Sequence, residues 1–280
     1  MRNFYTLGGI PLTDPNGRWV LEGGTGLRII PSRPSSGATL PGRDGVLPSF
    51  GSRFDPGGVG LRIAVLGADY PSMLRSVELL AGVIGQRYSL LPLVHDYGDG
   101  ERREALIEVT ASSKPEVVAF RNAIIEVQCS VPGAFWRDPS LSNSSVLLPA
   151  SPAVVEVDAL SGSTGTINDA ILRFEGGFSE ATVEDAVSGD SISVHGPVAA
   201  GEYVVVDTAR WIARRHTTDS WSTSAGSNWI TKVESNRGSG PMLALNPDFA
   251  LGRGRIRIRA AGSGITGSPK VIIRAKRSFL

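Results

Sequence analysis

The feature that most restricts this chain is a two-residue hydrophobic period. In Arg121 to Val131, Ala123, Ile125, Val127, Cys129 and Val131 fall on one side, while Asn122, Glu126, Gln128 and Ser130 mostly fill the other. A β-strand places successive side chains on opposite faces, so this pattern predicts a strand with one buried face. Leu61–Leu66, Ala105–Thr110, Val154–Val157, Ala170–Phe174, Tyr203–Val206 and Lys270–Arg274 read the same way. They are rich in β-branched residues and bounded by Gly, Pro, Asp or Ser. The 34 glycines exceed the roughly 20 expected at average usage. Many short strands joined by turns account for that excess.

One segment departs from this period. Between Asp69 and Gly85, residues Met73, Leu74, Val77, Leu80, Ala81 and Ile84 recur at helical spacing. Asp69 is placed to cap the helix, Pro71 to sit in its first turn and Gly85 to stop it. The expected fold is therefore mainly β, with two β-sandwich-like domains, the first carrying one packed helix. Ser, Asn and Pro cluster from Asp138 to Pro152, which puts the domain boundary near residue 150, with domains of 1–150 and 151–280. The second domain reads as a sandwich or jelly roll.

Charge and cysteine content narrow the function classes. Lys plus Arg number 28 and Asp plus Glu 27, so no global field draws the chain to nucleic acid or an anionic membrane. No stretch approaches the roughly 18 apolar residues of a membrane helix, and the N-terminus lacks a secretion signal. Cys129 is the only cysteine, and with three scattered histidines it makes no metal-ligand set. Neither a metal nor another cofactor is expected.

Catalytic motifs are weak. Gly189-Asp190-Ser191 matches the nucleophile block of one class of serine esterases, but no Asp-x-x-His supplies a base, and hairpin-like strands follow. His216, Asp219 and Ser220 are too close in sequence for a triad, whose members come from separate elements. The chain is expected not to be an enzyme. Two binding readings carry more weight. Trp211, Trp221 and Trp229 offer ring faces on which a sandwich domain can stack sugars. Arg255, Arg257 and Arg259 share one strand face, which suits either a solvated, charged edge or contact with an acidic neighbouring chain.

The order of parts resembles a known family. A Gly/Pro/Arg segment, the strand LRIAVLG, the helix MLRSVELLAGVIG, the strands YSLLPLV and REALIEVTA, and a long strand ending in VPGAFWRDP follow one another. This resembles the N-terminal domain of the distal tail protein of long-tailed, siphovirus-type bacteriophages. Ala186–Ala209 and Leu245–Ala260 resemble parts of that family's galectin-like C-terminal sandwich. The resemblance runs from about Gly26 to the C-terminus and corresponds to the compact form, without an inserted carbohydrate-binding module. It implies a structural virion protein, made in the host cytoplasm, that forms a hexameric ring at the distal end of the tail tube. The implied partners are copies of itself, the tail tube protein and the hub or baseplate protein, with the tape-measure protein and DNA passing through the lumen. The alternative is a module that binds a host cell-surface glycan through the three tryptophans.

Leu40 to Leu61 bears on the ring. It combines glycines and prolines with the apolar residues Val46, Leu47, Phe50 and Phe54, and leads into a strand rather than a helix. That excludes a helix-opening phosphate loop and disfavours a slack tether. The expectation is an ordered arm offering Arg43, Asp44, Arg53 and Asp55 to an adjacent subunit, with Phe50 and Phe54 docking it.

Overall fold

The computed structural model describes residues 4–22, 31, 54–85, 89–238, 240–250 and 252–280. The chain divides into two compact units, Met1–Arg137 with Leu280, and Asp138–Phe279. Within the Ser/Asn-rich stretch 138–152, Ser142–Leu147 is a strand of the second unit.

The first unit contains β1 (Phe4–Leu7), β2 (Ile10–Pro11), β3 (Trp19–Leu21), β4 (Gly57–Leu66), α1 (Tyr70–Ile84), β5 (Leu91–Asp96), β6 (Arg102–Ser112), β7 (Glu116–Ala119), β8 (Asn122–Val131) and β9 (Trp136–Arg137). The strands run in the order β2-β1-β5-β6-β8-β4-β3, with β7 beside β8. β4 and β8 form a ten-residue antiparallel ladder from Gly57↔Val131 to Leu66↔Asn122. Val59, Leu61, Ile63 and Val65 meet Ala123, Ile125, Val127 and Cys129 on its buried face, as the period of two requires. β6 pairs with β5 through its first half and with β8 through its second. A bulge between Val109 and Ala111 lies where it pairs with β8.

α1 begins and ends at the expected residues. Ser72 N–H donates to Asp69 Oδ1 at 2.8 Å while Asp69 N–H donates to Ser72 Oγ at 3.0 Å, a reciprocal cap that satisfies two backbone donors. Gly85 N–H closes the last turn on Ala81 O at 2.8 Å. The buried stripe is rotated from the one expected: Met73, Ser76, Leu80, Val83 and Ile84 face the core, whereas Leu74 and Ala81 are exposed. A serine is tolerated inside because Ser76 Oγ–H donates to Ser72 O one turn back. Gly67 makes the turn from β4 into α1 possible, since a Cβ there would stand 2.5 Å from Met73 N.

The second unit contains β10 (Ser142–Leu147), β11 (Ala153–Glu156), β12 (Ile171–Glu175), β13 (Phe178–Asp185), β14 (Ser191–Val198), β15 (Tyr203–Asp207), β16 (Ile212–His216), β17 (Ser227–Asn228), β18 (Val233–Ser235), β19 (Pro247–Asp248), β20 (Arg255–Ser263), β21 (Lys270–Ala275) and β22 (Ser278–Phe279). Two six-stranded sheets, β10-β21-β12-β15-β16-β17 and β11-β20-β13-β14-β18 with β19 attached, form a sandwich. Leu172, Phe174, Val204, Val206, Val271 and Ile273 of one sheet join Ala181, Val183, Ile192, Val194, Ile256 and Ile258 of the other in one buried cluster. β14 and β15, read from sequence as a hairpin, lie in opposite sheets. Gly201 with φ +86 falls in the connection 199–202 that makes this crossing, while Gly196 with φ +96 lies within β14 where its register with β13 shifts.

Candidate interaction surfaces

Of the expected arm, Leu40 to Leu61, the structure describes residues 54–61, of which Gly57–Leu61 is already β4; of its expected contact residues Phe54 and Asp55 are described, and Arg43, Asp44, Phe50 and Arg53 lie outside the described residues. The Phe54 ring packs edge-to-face on Phe135, with centroids 5.2 Å apart and planes at 76°. Asp55 is half-buried beside it in the chain.

The three tryptophans have three different environments. Trp211 occupies the β15–β16 turn with φ +57, donates its indole N–H to Gly240 O at 2.7 Å and remains 43% exposed. Trp229 packs against the core, with the Arg215 guanidinium 4.6 Å from its ring centroid. Trp221 lies in the loop after β16, where Arg274 and Arg173 stand 3.6 and 4.7 Å from its ring centroid. The sugar-stacking reading therefore rests on Trp211, because guanidinium groups or core atoms already cover the other two rings.

The supposed catalytic residues are structural. Gly189-Asp190-Ser191 makes the tight β13–β14 turn: Gly189 has φ +76, Asp190 pairs with Arg237, and Ser191 N–H donates to Asn236 Oδ1 at 2.8 Å. His216 Nε2 is 2.9 Å from Ser222 O, Asp219 engages Arg173, and Ser220 Oγ accepts from Ser222 N–H at 3.1 Å. Those three side chains thus hold a loop down rather than one another. Burial pushes the Cys129 thiol up to about 11, which keeps it protonated and a poor nucleophile at neutral pH.

The arginine stripe on β20 is internally neutralised. Arg255 pairs with Glu156 on β11 at 3.1 Å, Arg257 with Asp248 on β19, and Arg259 with Glu184 on β13. Each arginine finds its carboxylate on a flanking strand, so the stripe ties strands together and offers little unmatched charge to an acidic neighbour.

Two surfaces that sequence reading did not single out belong to the first unit. A cleft of about 460 Å³ beside α1 is lined by Arg18, Leu66, Ser72, Arg75, Ser76 and Leu79, among others. The β7–β8 hairpin leaves Val117, Val118 and Phe120 exposed, Phe120 at 73%, with Tyr70 of α1 stacked on Phe120 at 5.8 Å. The run Val117-Val118-Ala119-Phe120 carried only a partial signal, four apolar residues in a row, a pattern that Tyr203–Val206 shares within a largely buried strand. Among the described residues no three His, Cys, Asp or Glu are grouped to hold a metal, and no helix is long and apolar enough to cross a membrane.

Comparison by sequence finds no matching family model and no matching curated protein. Comparison by structure does find a match. The crystal structure of the Dit (gp 19.1) protein of phage SPP1, described as a paradigm of the hub adsorption apparatus of phages infecting Gram-positive bacteria, aligns over 99% of this chain and 99% of its own. The TM-score is 0.62 at 13% identity. The chain has the Dit fold. Chains of the phage P2 baseplate in its activated conformation, with Ca and with Sr, align over 100% of both chains, with a TM-score of 0.41 at 8% and 9% identity. In this chain the helix and the β4–β8 ladder belong to the first unit and Trp211, Trp221 and Trp229 to the second.

Proposed function

We propose that this chain is a non-catalytic structural protein of a bacteriophage virion, placed at the distal end of the tail. The observation that carries this reading is the Dit fold spanning both units, in order, over 99% of each chain. The finer reading is a six-fold ring joining the tail tube protein above to hub or baseplate proteins below, with the tape-measure protein and DNA passing through its lumen. Closing such a ring needs two different complementary surfaces on each subunit. The exposed apolar end of the β7–β8 hairpin supports that demand, since a contiguous apolar patch on a surface marks a contact site. Arg43, Asp44, Phe50, Arg53, Phe54 and Asp55 remain the proposed contact residues of the arm. Native mass spectrometry of the purified chain, with electron microscopy of tail particles, tests the reading. A hexamer and distal density are expected; a monomer at high concentration together with tails lacking the chain would overturn it.

A further inference from the structure

The outer face of the β10-β21-β12-β15-β16-β17 sheet carries more positive charge than it neutralises. Arg173 on β12 is only 6% exposed, an unusual position for a guanidinium. One of its terminal amino groups donates to Glu175 Oε1 at 2.6 Å, the other engages Asp219, and its Nε has no hydrogen-bond partner. Tyr203 and Trp221 flank it, at 5.2 and 4.7 Å from guanidinium carbon to ring centroid. Arg274 on the adjacent β21 stands diagonally across the same face, since Ile171 pairs with Arg274 and Arg173 with Ile272. Its Nε donates to Asn143 Oδ1 at 2.9 Å, and its guanidinium lies on Trp221. Among the described residues no carboxylate lies within 4 Å of Arg274. Burial and the neighbouring Arg173 both disfavour its charged form.

The surrounding charges do not restore balance. Lys270 shares Glu175 with Arg173 at 3.1 Å, and Asp207 on this face is engaged by Arg210. Arg214 donates to a carbonyl, Thr223 O, at 3.4 Å. Among the described residues four cations on this face thus meet two carboxylates, and one of those, Asp219, sits on the 217–226 loop with its side chain 69% exposed. An exposed partner is held by a weak, exchangeable ion pair, whereas the buried Arg173 cannot leave.

We propose that Arg173 and Arg274 form a binding site for a carboxylate from an acidic segment of a partner protein, and that Asp219 of the covering loop is the built-in occupant that such a segment displaces. A protein carboxylate is favoured over an acidic sugar for two reasons. The carboxylate already seated there is an aspartate, and the Trp221 ring on which a sugar would stack is taken up by guanidinium groups. Two neighbouring guanidiniums present the forked donors that carboxylates prefer. This inference does not depend on the tail reading, and its outcome leaves that reading untouched.

Calorimetric titration of the full chain with hexaglutamate tests it, with oligogalacturonate and inorganic phosphate as separate arms. Asp219→Asn removes the internal competitor and is expected to tighten hexaglutamate binding about tenfold. Arg274→Gln, at a half-buried position, is expected to fold normally by circular dichroism and to weaken binding at least about tenfold. These opposite signs distinguish a site from a general charge effect. Absence of hexaglutamate binding to both wild type and Asp219→Asn overturns the proposal, as does binding indifferent to Arg274→Gln. Equal or tighter binding of oligogalacturonate overturns the protein partner, and equal binding of phosphate reduces the site to a bare cationic patch.

Discussion

Asp14 shows how much one side chain can contribute where the hydrophobic pattern marks nothing. It is buried, accepts from Arg18 Nε and from a terminal amino group of Arg18, both at 2.9 Å, and also accepts the Arg18 backbone N–H at 3.1 Å. The Arg18 guanidinium holds its carboxyl down at about 2. An unfolded aspartate titrates near 3.9, so the folded state binds its proton less readily than the unfolded state does. The stability this pair adds is complete above about pH 4 and lost as pH falls through about 2. Urea midpoints measured from pH 2 to 5 should fall more steeply with acid in the wild type than in Asp14→Asn. Equal slopes would mean that the pair is broken in solution. The i, i+4 spacing of Asp14 and Arg18 was visible in the sequence, but the turn that brings them together lies outside any helix, and nothing in the period-2 pattern marks it.

At the scale of elements, α1 was legible in its limits and not in its orientation. Asp69, Pro71 and Gly85 act locally, through backbone donors and fixed torsions, so sequence reading located both ends. Which stripe faces inward depends on what the helix packs against, and that is tertiary information. Leu74 and Leu80 look alike in the sequence, yet Leu74 is 38% exposed and Leu80 is fully buried. Leu80→Ala is therefore expected to cost about 2–5 kcal/mol and Leu74→Ala less than about 1 kcal/mol, by chemical denaturation. Similar losses at both positions would restore the stripe that periodicity suggests. Asp69→Ala, which removes the reciprocal cap, should cost about 1 kcal/mol in the same assay. The strands were legible for the same local reason, while the β14–β15 crossing was not: a four-residue connection with one glycine reads alike whether its strands pair or part. The covering of Trp221 by Arg173 and Arg274 joins residues on β12, β21 and a loop, a juxtaposition that no spacing rule reports.

At the scale of the whole molecule, the second unit has the attributes of an independently folding domain. Its buried cluster draws on both sheets, from Val146 on β10 to Ala275 on β21. Ser278 is hydrogen-bonded within the unit: its N–H donates to Ser163 Oγ at 3.3 Å, and Thr164 and Gly165 N–H donate to Ser278 O at 2.8 and 3.0 Å. The unit's start is fixed too, because Asp138 accepts from Arg277 Nε at 2.6 Å and donates its own backbone N–H to Arg277 O. The two ends of residues 138–279 therefore close on each other, as expected of a domain with adjacent termini. A chain of residues 138–280 should unfold in one cooperative thermal transition with a retained near-ultraviolet circular dichroism signal, since most of its tryptophans sit in packed or stacked environments. Arg277→Ala is expected to lower the midpoint by removing the clasp and leaving Asp138, itself only 8% exposed, without that partner. A broad, non-cooperative transition for the isolated unit would show instead that the second sandwich needs the first to fold, and the Dit-like chain would then have to be treated as a single cooperative body.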